Sequence, residues 1–165
     1  MNPIATPGEQ IGSTRTNLFP FDAPVCGVRR IIAFALGVNI NTASNDVAVA
    51  MNTYLLANAN YIITGIYVNN AQINNGGTIT NSATTATLSV RVGPGGTGTT
   101  IVTDAAISGL SALTGAGANL QLTLNSPSYL FTTANNPTLY VRTGTAQGAS
   151  TSATVDVYFW GEVFT

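Results

Sequence analysis

Residues 87–92, TLSVRV, alternate without a break: Leu88, Val90 and Val92 fall on one side, Ser89 and Arg91 on the other. A period of two is what a strand with one buried face requires. The alternation returns at Leu120, Leu122 and Leu124, interleaved with Gln121 and Thr123. It returns again near the end of the chain, where Leu139, Val141 and Thr143 share one face and Val155, Val157 and Phe159 share another. Gly, Asn, Ser and Thr, which favour turns, lie between these runs. Outward from this centre the chain reads strand, turn, strand.

The upstream half follows the same plan. Val28–Ile40 is a long apolar run rich in Val, Ile and Phe, Asn45–Ala50 alternates weakly, and Tyr61–Asn69 (YIITGIYVN) is β-branched and aromatic. Asn74-Asn75-Gly76-Gly77 supplies the positive φ of a tight turn, which predicts a hairpin between Ala71–Ile73 and Thr78–Thr80. Ile101-Val102 and Tyr129–Thr132 add brief strands. At one place the period changes: Asp104 is placed to N-cap a short helix in which Ile107, Leu110 and Leu113 recur every three residues, stopped by Gly115 and Gly117. About eight to ten short strands joined by such loops predict an all-β fold, a sandwich or a barrel.

Composition narrows the function. A chain of 165 residues suits one domain. Only 7% of residues are charged, with five Arg, six acidic residues and neither Lys nor His. That leaves no basic stripe for nucleic acid and no polybasic patch for a membrane. No run of 18 apolar residues predicts a transmembrane helix. The chain is solubilised by neutral hydroxyls and amides, which protect poorly against self-association. A homo-oligomer is therefore expected. Cys26 is alone, so no intrachain disulfide forms.

Chemistry is hard to place on this sequence. Gly93-Pro94-Gly95-Gly96-Thr97-Gly98 satisfies G-x-G-x-x-G after a strand, but β-prone Thr99–Val102 follows where a dinucleotide site needs a helix. It reads as a loop between strands. One Cys and no His exclude the usual zinc sets, and Asp22, Asp46, Asp104 and Asp156 are too dispersed for a calcium loop. Nucleophilic catalysis lacks a base. The expectation is a non-enzymatic protein without catalytic residues, cofactor or metal.

Other residues point to partners. Four of the seven prolines (Pro3, Pro7, Pro20, Pro24) lie in the first 24 residues, which predicts an extended N-terminal arm over 1–27 ahead of a β-domain over 28–165. Leu18, Phe19 and Phe21 give the arm an apolar cluster for its own domain or a neighbour. Arg29 and Arg30 read equally as a solvated strand end or a contact to an acidic partner. Tyr158 and Trp160, opposite in facing to Val157 and Phe159, suit second-layer packing, an oligomer interface or a sugar platform. In the closing segment, an antiparallel hairpin with both apolar sets inward would set Val141 opposite Val157 and Arg142 opposite Asp156, a structural ion pair.

Two segments carry a family resemblance: ATLSVRVGPGGTGTTIVTDAAISGLSALTG (86–115) and PTLYVRTGTAQGASTSATVDVYFWGEVF (137–164). They have a strand ending in V-R, a Gly-rich loop, a small Leu-rich helix, and a closing L-Y-V-R…A-T-V-D-V-Y hairpin that ends in a G-[DE] turn. The arrangement resembles tailed-bacteriophage virion proteins of the decoration or cement type, over about half the chain. The resemblance implies a β-sandwich of jelly-roll type, usually trimeric, on the capsid exterior of a virion assembled in the host cytoplasm. Its partners would be the major capsid protein and further copies of itself, with no nucleic acid or membrane. The alternative is a receptor- or glycan-binding domain of a fibre or tail.

Overall fold

The computed structural model describes residues 29–51, 60–80, 83–112, 119–127, 129–132, 138–148 and 151–164. The expected arm, its cluster of Leu18, Phe19 and Phe21, and the boundary at residue 27 lie outside the described residues. Within them the chain forms the strands β1 (Arg30–Asn39), β2 (Asp46–Ala48), β3 (Ala50–Met51), β4 (Asn60–Asn75), β5 (Thr78–Thr80), β6 (Thr87–Arg91), β7 (Thr100–Ala106), β8 (Leu120–Leu122), β9 (Tyr129–Phe131), β10 (Tyr140–Thr143) and β11 (Ser152–Phe164). All pairings are antiparallel. One sheet has the order β3-β1-β11-β4-β5, with β8 and β9 also paired to β4; the other has the order β2-β10-β6-β7.

The two sheets share one core. Ile32, Val38, Ile63, Ile66, Val68, Val155, Val157 and Phe159 enter it from the larger sheet, and Leu88, Val90, Ile101, Val102 and Val141 from the smaller. Every alternating set singled out in β6, β10 and β11 points inward as its period requires; Leu139, Val141, Thr143, Val155, Val157 and Phe159 are all fully buried. The expectation of an all-β protein with two packed sheets therefore holds.

The hairpin expected at 71–80 forms. Asn75 faces Thr78, and Gly76 and Gly77 make the two-residue turn with φ of +65° and +99°. Positive φ at both central positions is the turn whose twist matches that of paired strands, and glycine adopts it without strain.

Among the described residues the expected short helix is only a 3-10 turn, and Leu113, Gly115 and Gly117 lie outside them. Asp104 lies inside β7, because Leu88 pairs with Ala105 and Thr87 with Ala106, which extends the ladder past it. A single 3-10 turn follows at Ser108–Ala112, with Ile107 and Leu110 buried beside it. A three-residue recurrence is the period of a 3-10 helix rather than an α-helix, and the sequence carried that period.

The closing hairpin does not form. β10 lies between β2 and β6 in the smaller sheet, and β11 between β1 and β4 in the larger. The two strands cover one core from opposite sides, which turns both apolar faces inward as well as a hairpin would. Their connection is latched to other elements. Gln147 is buried and its backbone amide donates to the Ile40 carbonyl at 2.7 Å. Its side-chain oxygen accepts from the Thr84 and Thr85 amides at 3.0 and 3.4 Å, and its side-chain nitrogen donates to the Thr84 hydroxyl at 2.9 Å.

Tyr61 opens β4, fully buried and stacked on Phe131 of β9 with ring centroids 5.2 Å apart. Burial pushes its phenol up from 10.0 to about 12. The folded chain thus keeps this proton where the unfolded chain releases it, so the stability from the neutral phenol is whole below pH 10 and falls as pH rises towards 12. The full loss is about 2–3 kcal/mol for a two-unit shift. Urea midpoints of the wild type at pH 9, 10.5 and 11.5 should fall more steeply than those of Tyr61→Phe; parallel profiles would show that this phenol is not buried.

Candidate functional site

The two outward faces differ in chemistry. On the smaller sheet, Arg142 of β10 stands in register with Asp46 of β2 and Ser89 of β6. The Arg142 guanidinium donates to Asp46 Oδ2 at 2.8 Å, and the same oxygen accepts the Gly95 amide at 2.8 Å. This carboxylate ties β2, β10 and the β6–β7 loop together. The Gly-rich stretch is thereby a loop between strands, as its β-prone sequel indicates, and β7 follows it.

Arg142 therefore does not pair with Asp156. The two lie in different sheets, and unlike charge alone does not select a partner when several aspartates are in play. Asp156 instead holds two irregularities of the larger sheet. Its Oδ1 accepts the Gly37 amide at 2.8 Å, where the β1–β11 register shifts between Ala35 and Val38. Its Oδ2 accepts the Asn70 side-chain amide at 2.7 Å, where the β4–β11 register shifts between Thr154 and Asp156. A double-mutant cycle on Arg142 and Asp46, both partly exposed, should give a coupling below about 1 kcal/mol. The cycle on Arg142 and Asp156 should give none; measurable coupling there would contradict the sheet assignment.

Part of the outward face of the larger sheet is aromatic, beside the polar Asp156 and Glu162 of the same strand. Phe34, Tyr158 and Tyr67 stand in register across β1, β11 and β4, and the next row holds Ile31, Trp160 and Gly65. The exposed large hydrophobic residues Ile31, Leu36, Ile79 and Leu130 all belong to strands of this sheet. Tyr158 and Trp160 thus lie on the side opposite Val157 and Phe159, as the alternation indicates.

A cleft of about 290 Å³ opens on this face, lined by Arg29, Tyr67, Asn119 and Trp160. It sits at a β-bulge. Trp160 pairs with Gly65 and Gly161 with Ile63, which leaves Thr64 as the extra residue of β4. Bulges bend a strand and re-aim its side chains. Here the Thr64 carbonyl accepts the Arg29 guanidinium at 3.3 Å. Tyr67 and Trp160 meet edge to face, centroids 6.4 Å apart at 78°. Asn119 reaches the rim just before β8, its side-chain oxygen accepting from the Asn69 amide at 2.9 Å.

Of the sequence-derived partner residues, Arg29 is exposed at this cleft, and Arg30 is half-buried at the start of β1, in register with Gly161. Tyr67, Asn119 and the Thr64 bulge were not singled out in the sequence. The bulge had a signal there: the buried residues of β4 run Tyr61, Ile63, then Ile66, Val68, then Ala71, Ile73. Each switch between odd and even positions marks a bulge, at Thr64 and at Asn70. Asn119 had none, because only tertiary folding brings it to β4.

Among the described residues no group of three or more His, Cys, Asp or Glu comes together. No protein-family model matches the chain, and no curated protein or solved structure is significantly similar to it.

Proposed function

We propose that this chain is a non-enzymatic structural protein of a phage virion, a decoration or cement subunit of jelly-roll type that binds the outside of an assembled capsid as a homo-oligomer, most simply a trimer. The strand order carries the proposal. β1, β11, β4 and then β8 and β9 in one sheet face β2, β10, β6 and β7 in the other. With β8 and β9, which pair with different parts of β4, taken as one position and β3 and β5 as edge additions, this order supports a reading as eight strands wound as two Greek keys, and jelly rolls build viral shells. The charge-poor composition and the exposed apolar residues of the larger sheet suit a surface that is covered in an assembly.

In this reading many copies bury surface across the joints between shell subunits. A protein that binds only the assembled form stabilises that form by mass action. Two experiments test the proposal. Light scattering on the purified protein should give a trimer mass at micromolar concentration. The protein should also co-sediment with purified capsids and raise the temperature at which they rupture. A stable monomer that stays in the supernatant would overturn it.

A further inference from the structure

We propose that the cleft between Arg29, Tyr67, Asn119 and Trp160 binds a neutral pyranose, one ring of a glycan, stacked on the Trp160 indole. The inference goes beyond the shell reading and does not rest on it.

Size is the first argument. A cleft of about 290 Å³ lies at the lower end of small-ligand sites, which begin near roughly 300 Å³. It suits a single ring. The lining is the second. An aromatic ring has a negative face and a positive edge. The C–H face of a pyranose is apolar and weakly positive, so it stacks on an indole while its hydroxyls project sideways. Those hydroxyls need donors and acceptors at the rim. Arg29 supplies a rigid fork of donors, one of which is used on the Thr64 carbonyl. Asn119 supplies a polar side-chain amide at the rim, oriented by its bond to Asn69.

The fold supports the same geometry. Tyr67 lies over Gly65, where an added Cβ would come within 3.0 Å of the ring carbon Cε2. The ring reaches Trp160 because Gly65 leaves it that space. The bulge at Thr64 positions the carbonyl that tethers Arg29. Bulges of this kind accompany functional sites.

Other ligand classes fit less well. β11 is paired on both sides, with β1 and β4, so a peptide cannot add as a strand beside Trp160. Five Arg against six acidic residues do not hold a run of phosphates. The sugar is assigned as neutral because Glu162 follows Trp160 by two residues on the same side of β11, against the single cation Arg29. A carboxylated sugar would meet both signs.

Trp160 is the only tryptophan of the chain, so its fluorescence reports on this cleft directly. The full-length protein is titrated with cello-, manno- and galacto-oligosaccharides, and with oligogalacturonate as the acidic arm. The expected result is a saturable change in emission with at least one neutral series and a weaker one with oligogalacturonate. In calorimetry, Trp160→Ala should abolish binding. Arg29→Ala and Asn119→Ala, at exposed positions, should each weaken it roughly tenfold with melting temperature unchanged. These two variants carry the test if Trp160→Ala fails to fold.

No saturable binding to any neutral series overturns the proposal, as does binding that neither Arg29→Ala nor Asn119→Ala weakens. Preference for oligogalacturonate overturns the neutral assignment. An emission shift on deleting residues 1–24, without any sugar response, shows the cleft to be covered by the chain's own N-terminal segment. An emission shift on dilution alone shows it to be covered by a second copy. Either result replaces the sugar.

Discussion

Gly161→Ala should destabilise the protein by about 3 kcal/mol, at the upper end of the usual cost of overpacking a core. For a domain of this size that is a fall in melting temperature of roughly 6–12 °C. Gly161 is buried in β11, at the register shift between Trp160 and Gly161. A Cβ there would fall inside the contact radius of the Ile62 carbonyl oxygen and 2.7 Å from Ile32 Cδ1. The isoleucine tip can rotate away, but the carbonyl belongs to β4, the partner strand, and yields only if the β4–β11 pairing opens. Gly65 stands across the same bulge and is the control. The atoms nearest its added Cβ all belong to the Tyr67 side chain, whose ring is a movable end. Gly65→Ala should therefore cost much less, while displacing Tyr67 and changing Trp160 emission. Differential scanning calorimetry of both variants checks the pair. Equal melting temperatures would mean that the bulge does not crowd Gly161 as described.

The contrast between these two glycines bears on how much of the fold the sequence displays. Which face of a strand turns inward is a local property, fixed by the two-residue period. It was legible in β6, β10 and β11, where each alternating apolar set is buried. Which strand lies beside which is not local. Leu139, Val141 and Thr143 are satisfied by facing the core from the smaller sheet, and Val155, Val157 and Phe159 by facing it from the larger. A hairpin would bury the same residues. The connection between β10 and β11 decides the matter through contacts that no period encodes: the Gln147 amide on the Ile40 carbonyl and its side chain on Thr84 and Thr85.

Charge was a poor guide for the same reason. Arg142 has one ion-pair partner among the described residues, and it is Asp46, far upstream on β2. Asp156 serves backbone geometry, holding the amide of Gly37 and the side chain of Asn70 where two register shifts flank β11. The cleft was legible in pieces. Arg29 and Trp160 stood out as a rare cation and the lone indole, but a bulge and a partner strand bring them together. Tyr67 read as one aromatic residue among several in a strand, and its place over Gly65 depends on that bulge.

Phe159→Ala should be the most damaging of the single substitutions considered, at about 3–5 kcal/mol for a buried phenylalanine cut back to its Cβ. Phe159 is fully buried in the middle of β11, with Ala33 of β1 on one side and Ile66 of β4 on the other. Ala33 is too small to spread into the space left behind, and the strands on both sides are fixed by their ladders. A cavity therefore remains, and its cost adds to the lost transfer energy. Against a usual total of about 5–15 kcal/mol, the loss is about a fifth or more of the protein's stability. The neighbouring Tyr158 provides the comparison. It is half-buried on the opposite side, between Phe34 and Tyr67, and Tyr158→Ala loses two cross-strand contacts worth about 1 kcal/mol each at most. Urea titrations should show a much lower midpoint for Phe159→Ala with an unchanged slope, and a modest shift for Tyr158→Ala. Reversed magnitudes would mean that β11 turns its other face to the core, and with it the Tyr67–Trp160 pair and the cleft beside it.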